Sequence, residues 1–576
     1  MHENNKKVAN IFKEISLLLS LQDENPFRIR AYEKASQNIE GLSEDVSVLI
    51  KENRLTSIPG IGEDLASKIK EIVSTGTLKY YEDLKKKVPA GLLKILEIPS
   101  IGPKTAKLLY EKLKIDSIEK LEEFARQGKI KNLPGIREKT VENILKGIQL
   151  IKKGKERMPL YQALEISNIF IQHLKKVKGV KKIESAGSVR RRKDTIRDID
   201  ILVVSKDSSK VMREFVNFKK VKRVLAYGDT KSSVLTEEDV QVDLRVVEEK
   251  SFGAALMYFT GSKNFNIKFR QMAIKKGYKV NEYGVFKKDK FICGRTEEEI
   301  FDLFGMQFIP PQLREDKGEI ELALQHRLPP LVELKDIKGD LHVHSKYSDG
   351  GHTIEEIAYF AKKMGYKYIC IADHSQSLKV AGGVSIKDLY KKIEEIRQLN
   401  KKFKDFTILC GQEVDILQDG SLDYPDNVLK DLDIVIAAIH TGFKQSKSQL
   451  TRRIIEACKN RYVDIIAHPT GRLWGTREGY DIDLDEIIRV CKKTGTSLEI
   501  NCFPQRLDLN EINAHKAKLE GIILTLGTDA HIIDQLAYIQ LGVEVAKRAW
   551  CLKENILNTW SVNQIKNWRQ RRIGRK

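Results

Sequence analysis

The chain has 576 residues, 41% hydrophobic and 31% charged, and its 101 Lys and Arg against 80 Asp and Glu leave a formal net charge of +21. That length predicts three or four domains, and that balance predicts a globular protein whose partner is a polyanion. No apolar run reaches the roughly 18 residues of a membrane span, the first seven residues lack the apolar core of a signal peptide, and seven cysteines without a Cys-x-x-Cys pair indicate neither a disulfide framework nor a zinc finger; a cytoplasmic monomer is expected.

Residues 1–90 have Lys, Glu and Leu at helical spacing, and 91–155 continue in the same style. Within them an apolar-Pro-Gly-apolar-Gly pattern opens a helix at Ile58-Pro59-Gly60-Ile61-Gly62. It recurs at Ile98-Pro99-Ser100-Ile101-Gly102 and, more weakly, at Leu133-Pro134-Gly135-Ile136-Arg137. This is a helix-hairpin-helix signature. Gly60, Gly62, Gly102 and Gly135 let the backbone approach a phosphate, and the helix start offers free N–H groups to it. Such contacts carry no base sequence, so they predict non-specific, salt-sensitive DNA binding.

Residues 156–315 hold the next cluster. Gly187-Ser188-Val189-Arg190-Arg191 precedes Asp198-Ile199-Asp200, which opens an apolar strand through Val204. Period two sends Asp198 and Asp200 out of one face, where their repulsion calls for a cation. Asp243, on a second strand, supplies a third carboxylate. Three carboxylates holding two Mg²⁺ ions suit in-line nucleotidyl transfer, with Gly187, Ser188 and Arg191 available to phosphates.

These residues, together with Tyr258-Phe259-Thr260-Gly261-Ser262, resemble the DNA polymerase X family, the polymerase-beta-like nucleotidyltransferases. The resemblance implies that Ser188 and Arg191 hold the triphosphate of a dNTP. It implies too that Tyr258 and Phe259 flank its sugar beside Gly261, that Asn266 faces the minor groove and Arg270 the template, and that Asp243 assists removal of the primer 3′-hydroxyl proton. In the N-terminal part it places Lys68 at the family's Schiff-base lysine and Tyr32 in its 5′-phosphate pocket, although Phe27 and Asp64 stand where the family has basic residues. Gln241 and Arg197 replace a family arginine and glycine beside the aspartates.

A proline-marked linker is expected over 316–335. From 336 to 576, seven apolar strand candidates alternate with helix-length segments, which predicts a parallel α/β barrel. Nearly every strand ends in His, Asp or Glu, so these side chains should meet at one mouth. Mixed imidazole and carboxylate ligands suit Mn²⁺, Zn²⁺ or Fe²⁺ rather than Ca²⁺, and Mn²⁺ or Zn²⁺ is expected. The order of His342, His344, Asp349, His374, Glu413, His440, His468, Asp529 and His531 is similar to the PHP (polymerase and histidinol phosphatase) family, which implies up to three metals with Glu413 bridging. Arg472 and Arg506 are further candidates for phosphate contacts, and the basic tail 567–576 for DNA.

Together the fold class is an all-α helix-hairpin-helix region, an α+β polymerase-beta-like palm and a PHP-type barrel. The two resemblances follow the order of bacterial and archaeal PolX proteins with a fused PHP domain. They imply a gap-filling repair polymerase acting on gapped or primer-template DNA, nucleoid-associated, with a 3′–5′ exonuclease and a possible abasic-site endonuclease. The rival is a metabolic phosphoesterase joined to an inactive polymerase, against which the intact aspartates speak.

Overall fold

The computed structural model describes all residues except 1, 2, 41, 43, 44, 59, 97, 99, 100 and 576. Pro59, Pro99 and Ser100 of the hairpin motifs therefore lie outside the described residues.

Residues 3–156 form a body of helices with its own apolar cluster, built from positions such as Phe12, Leu18, Ile39, Ile69, Ile95 and Leu121. The hairpin turn recurs three times with one geometry. Ile61 N–H donates to Ile58 O at 3.0 Å, Ile101 to Ile98 at 2.9 Å and Ile136 to Leu133 at 3.0 Å. Each of these isoleucines is buried and anchors its turn. Gly62 and Gly102 are the N-caps of helices Glu63–Thr75 and Pro103–Leu113, in extended backbone without a capping side chain. A Cβ at either would meet nothing within 4 Å, so the helix starts are left clear toward the outside. At the third turn, where the sequence lacks the second glycine, Thr140 N–H bonds to Arg137 O instead.

The middle of the chain is a five-stranded sheet. In chain order its strands are β1 (Val180–Ser185), β2 (Asp198–Ser205), β3 (Val221–Ala226), β4 (Lys231–Thr236) and β5 (Gln241–Val247), arranged β1-β2-β5-β4-β3. Only β2 and β5 run parallel, and they bring their N-terminal ends together. Behind them follow helices Phe252–Thr260 and Lys263–Lys275 and a small three-stranded antiparallel sheet, β6 (Lys279–Asn281), β7 (Gly284–Lys287) and β8 (Lys290–Cys293). The stretch expected as a linker is folded. Helix Glu319–Leu324 buries Ile320 and Ala323 in the apolar cluster of this region, and Val332 N–H donates to Cys551 O at 2.9 Å.

The C-terminal part is the expected barrel. Seven parallel strands stand in sequence order: β9 (Gly339–Val343), β10 (Tyr368–Ile371), β11 (Thr407–Asp415), β12 (Ile434–Ala438), β13 (Ile465–Ile466), β14 (Ser497–Asn501) and β15 (Leu524–Gly527). A parallel bridge between Val343 and Ala530 brings the last strand's continuation back to the first. Alternate residues go to two apolar clusters, as a pleated strand demands. Ile369, Ile371, Val435 and Ala437 pack with the surrounding helices, whereas Tyr368, Cys370, Ile434 and Ile436 turn inward. Leu557 and Ile565, with Trp560 and Trp568 against them, close the inner cluster. The basic tail therefore folds onto the barrel: Arg569 Nε donates to Asp464 at 2.9 Å, and Arg572 pairs with the same buried carboxylate. No described helix is long and apolar enough to cross a membrane.

Candidate functional sites

The parallel register of β2 and β5 sets Asp200 directly beside Asp243, with Ile199 and Val242 buried between the polar positions. Burial pushes the Asp200 carboxyl up to about 7, and the charges of Asp198 and Asp243 push it the same way. Gly187, at φ +61°, makes the close approach possible, since a Cβ there would lie 2.3 Å from Asp200 Oδ2. Gln241, the replacement noted in the sequence, donates to Asp243 Oδ1 at 2.9 Å and orients it. Repelling acids beneath a backbone cradle are a donor set that fits Mg²⁺.

Ser188 lies half-buried on the short turn Gly187–Arg190. Arg191 reaches from it to Glu315 Oε1 (3.1 Å) and to the Thr260 carbonyl, against Gly261. Arg190 donates to Glu297 at 2.6 and 2.9 Å and to the hydroxyl of the same Thr260 at 2.9 Å. Asn266 donates to Tyr258 O at 2.7 Å, and both line a small pocket with Arg270. Phe259 lies under Arg245, 4.3 Å from the guanidinium carbon to the ring centre. In the helical body, Lys68 pairs with Asp64 and stands 5.8 Å over the Tyr80 ring, which stacks on buried Tyr32.

The barrel mouth gathers all nine expected ligands. Glu413 is the centre. Its Oε2 faces His374 Nδ1 (2.8 Å) and His342 Nε2 (3.5 Å), and its Oε1 faces His468 Nε2 (2.9 Å) and His440 Nε2 (3.3 Å). His344 Nε2 lies 3.2 Å from both His342 Nε2 and Asp529 Oδ1, and His531 Nε2 lies 3.4 Å from Asp349 Oδ2. Among the described residues three groups can each surround one ion: His344, Asp349, His374 and His531; His342, His344 and Asp529; and His374, Glu413 and His440. Glu413 Oε2 and His374 Nδ1 stand 2.8 Å apart without the alignment of a hydrogen bond, and Nδ1 of buried His344 has no hydrogen-bond partner. Leaving several such atoms unpaired in one place is costly unless a cation takes them, so the site fits divalent metal.

The electrostatics are divided. Burial holds His344 down at about 4 and His468 at about 3, the neutral state that ligation needs. Burial opposes charge on His440 and His531 as well, but Glu413 and Asp349 outweigh it and push them up to about 10 and about 9.

Sequence reading missed the residues behind the ligands. Glu499, on β14, accepts from His342 Nδ1 at 2.7 Å and from the His468 N–H. Asp415, two residues beyond Glu413 on the same strand face, binds His440 Nδ1 at 2.8 Å. The signal was present in both cases, as a polar residue at an inward position of an apolar strand. Arg506 Nε lies 3.3 Å from the ligand Asp529, while Arg472 spans to Asp194 of the palm at 3.1 Å rather than into the mouth.

Comparison with known proteins matches residues 3–78 to the helix-hairpin-helix domain, 92–149 to the SAM-like helix-hairpin-helix tandem, 255–315 to the DNA polymerase beta thumb and 340–502 to the PHP domain. A protein of Bacillus subtilis (strain 168) named DNA polymerase/3′-5′ exonuclease PolX is 39% identical over 575 residues, 99% of this chain and 100% of its own. A probable phosphatase of Thermoanaerobacter sp. (strain X514) is 34% identical over 249 residues, 41% of this chain and 96% of its own.

Proposed function

The chain belongs to the PolX family of DNA polymerase/3′-5′ exonucleases, and we propose that it fills short gaps in DNA at the palm aspartates and trims 3′ ends at the barrel mouth. The observation that carries this is the coexistence in one chain of Asp200 beside Asp243, with Asp198 close enough to raise the Asp200 carboxyl, and of the mixed carboxylate and imidazole groups at the barrel mouth.

At the palm, Asp198, Asp200 and Asp243 would hold two Mg²⁺ ions, which neutralise charge on a transferring phosphoryl group. Ser188 and Arg191 receive the triphosphate of the dNTP, and Tyr258 and Phe259 bound its sugar. Asn266 and Arg270 face the base pair and template. Asp243, oriented by Gln241, accepts the primer 3′-hydroxyl proton. At the barrel, the nine ligands would hold up to three Mn²⁺ or Zn²⁺ ions, which polarise a phosphodiester. There Glu499 and Asp415 fix the tautomers of His342 and His440. The hairpins at Gly60, Gly62, Gly102 and Gly135 grip the backbone of the gapped DNA, and Lys68 with Tyr32 forms a candidate lyase pocket. A cytoplasmic, nucleoid-associated monomer accords with these roles.

The test uses labelled gapped DNA with and without dNTPs, in Mg²⁺ and in Mn²⁺. Asp200→Ala should abolish extension and leave 3′ degradation, and His344→Ala should do the reverse. Loss of both activities in both variants, or extension that survives Asp200→Ala, would sink the proposal.

A further inference from the structure

The segment joining the nucleotide-binding turn to Asp198 is held by the barrel domain at four consecutive residues. The carbonyl of Arg191 accepts from Arg548 Nη1 at 2.7 Å, and Arg192 Nε lies 3.9 Å from Glu544. Lys193 Nζ donates to Glu511 at 3.0 Å, and Asp194 accepts from Arg472 at 3.1 Å. None of these barrel residues belongs to the metal groups at the mouth.

Arg548, at the end of helix Ile539–Arg548, is the centre of this grip. It is almost fully buried, and its Nη2 donates to Glu315 Oε1 and Glu511 Oε1, each at 3.1 Å. Glu315 Oε1 is also the acceptor for Arg191 Nε. Arg548 thus fixes Arg191 twice, through its main chain and through the carboxylate that its side chain rests on. A buried guanidinium with several donors in a rigid fork is suited to setting such a geometry. An oxygen shared by two guanidinium groups also attracts each less than it would alone, which eases the transfer of Arg191 from Glu315 to a more highly charged triphosphate.

We infer that the barrel domain is a working part of the polymerase site, with Arg548 the positioning residue that holds Arg191 and the following segment in register for the dNTP. This rests on the polymerase function proposed above. The prime consequence is on nucleotide binding rather than on the chemical step.

The experiment is steady-state filling of a one-nucleotide gap by the full chain in Mg²⁺, with 3′ degradation of the same DNA measured in the absence of dNTP. Arg548→Met should raise KM for dNTP about tenfold with a much smaller change in kcat, and Arg548→Lys should recover part of the loss. Degradation should stay within about twofold of the unaltered chain, since the barrel's ligands are untouched. An unchanged KM in an Arg548→Met chain that still degrades DNA overturns the inference. If that variant loses degradation as well, Lys193→Met decides from the palm side: a raised KM supports the inference, and an unchanged one overturns it. An unaltered chain that extends no primer defeats the polymerase proposal and this inference with it, and is recognised before any variant is compared.

Discussion

Glu499 holds two of the candidate metal ligands without belonging to the candidate groups itself. Its carboxylate is buried, and it holds both the His342 ring nitrogen and the His468 backbone N–H. Glu499→Gln keeps the shape but gives His342 a weaker acceptor or an amide donor. Metal analysis of the purified variant should show retention weakened by about 10- to 100-fold in affinity, with the fold intact by circular dichroism. That these nine side chains gather at one mouth was legible, because strands of period two end in residue types that bind metal. Glu499 stood out only as a polar residue in the apolar run Ser497–Asn501, and its partner was not legible, because nothing in that run tells that His342 of β9 lies across from it. Arg472 misled for a similar reason. Its charge and loop position suit a phosphate, but its partner Asp194 lies 278 residues away, a separation no local pattern reveals.

At the scale of elements, the repeated hairpin turns separate folding from binding. Gly62 caps its helix in extended backbone, and a Cβ there touches nothing of the chain. Gly62→Ala should therefore leave thermal stability within about a degree or two, while weakening affinity for gapped DNA by crowding the phosphate. Titrations at several salt concentrations would check this, and equal affinity at every salt would refute it. The elements of the palm are tied to the thumb-like region by Glu297, which binds both Arg190 and fully buried Arg314. Burial raises its carboxyl, but Arg314 and Arg190 outweigh that and lower it from 4.5 to about 2. A lowered carboxyl stabilises above its unfolded value, so this contribution is complete above about pH 4.5 and disappears as pH falls toward 2. The shift corresponds to about 3 kcal/mol. Glu297→Gln should cost about 3–5 kcal/mol at pH 7, because it strands Arg314, and should flatten the acid limb of stability; urea unfolding at pH 7 and pH 3.5 measures both. The three hairpins and seven strands were readable from their punctuation and periodicity. The folded state of 316–335 was not, because its prolines and charges resemble a tether and its anchors, Ile320 and Val332, contact distant partners.

For the whole molecule, the apolar clusters mark where cooperativity begins and ends. The helical body keeps its own cluster, whereas one cluster runs from the palm through the barrel, with Tyr161 against Tyr538 at 5.3 Å between ring centres. Calorimetry should then show two transitions, one for residues 3–156 and one for palm and barrel together. A separate third peak for the barrel would contradict the shared core. That shared core was beyond sequence reading, since each domain's pattern is complete in itself and says nothing of which faces meet.

The inward cluster, to which Leu557 and Ile565 belong and against which Trp560 and Trp568 pack, fills the barrel interior with apolar side chains. Under the proposed function the apolar interior is not a route for a charged nucleotide, so release falls at the polar mouth; one-nucleotide trimming there should display bands of every intermediate length on a sequencing gel.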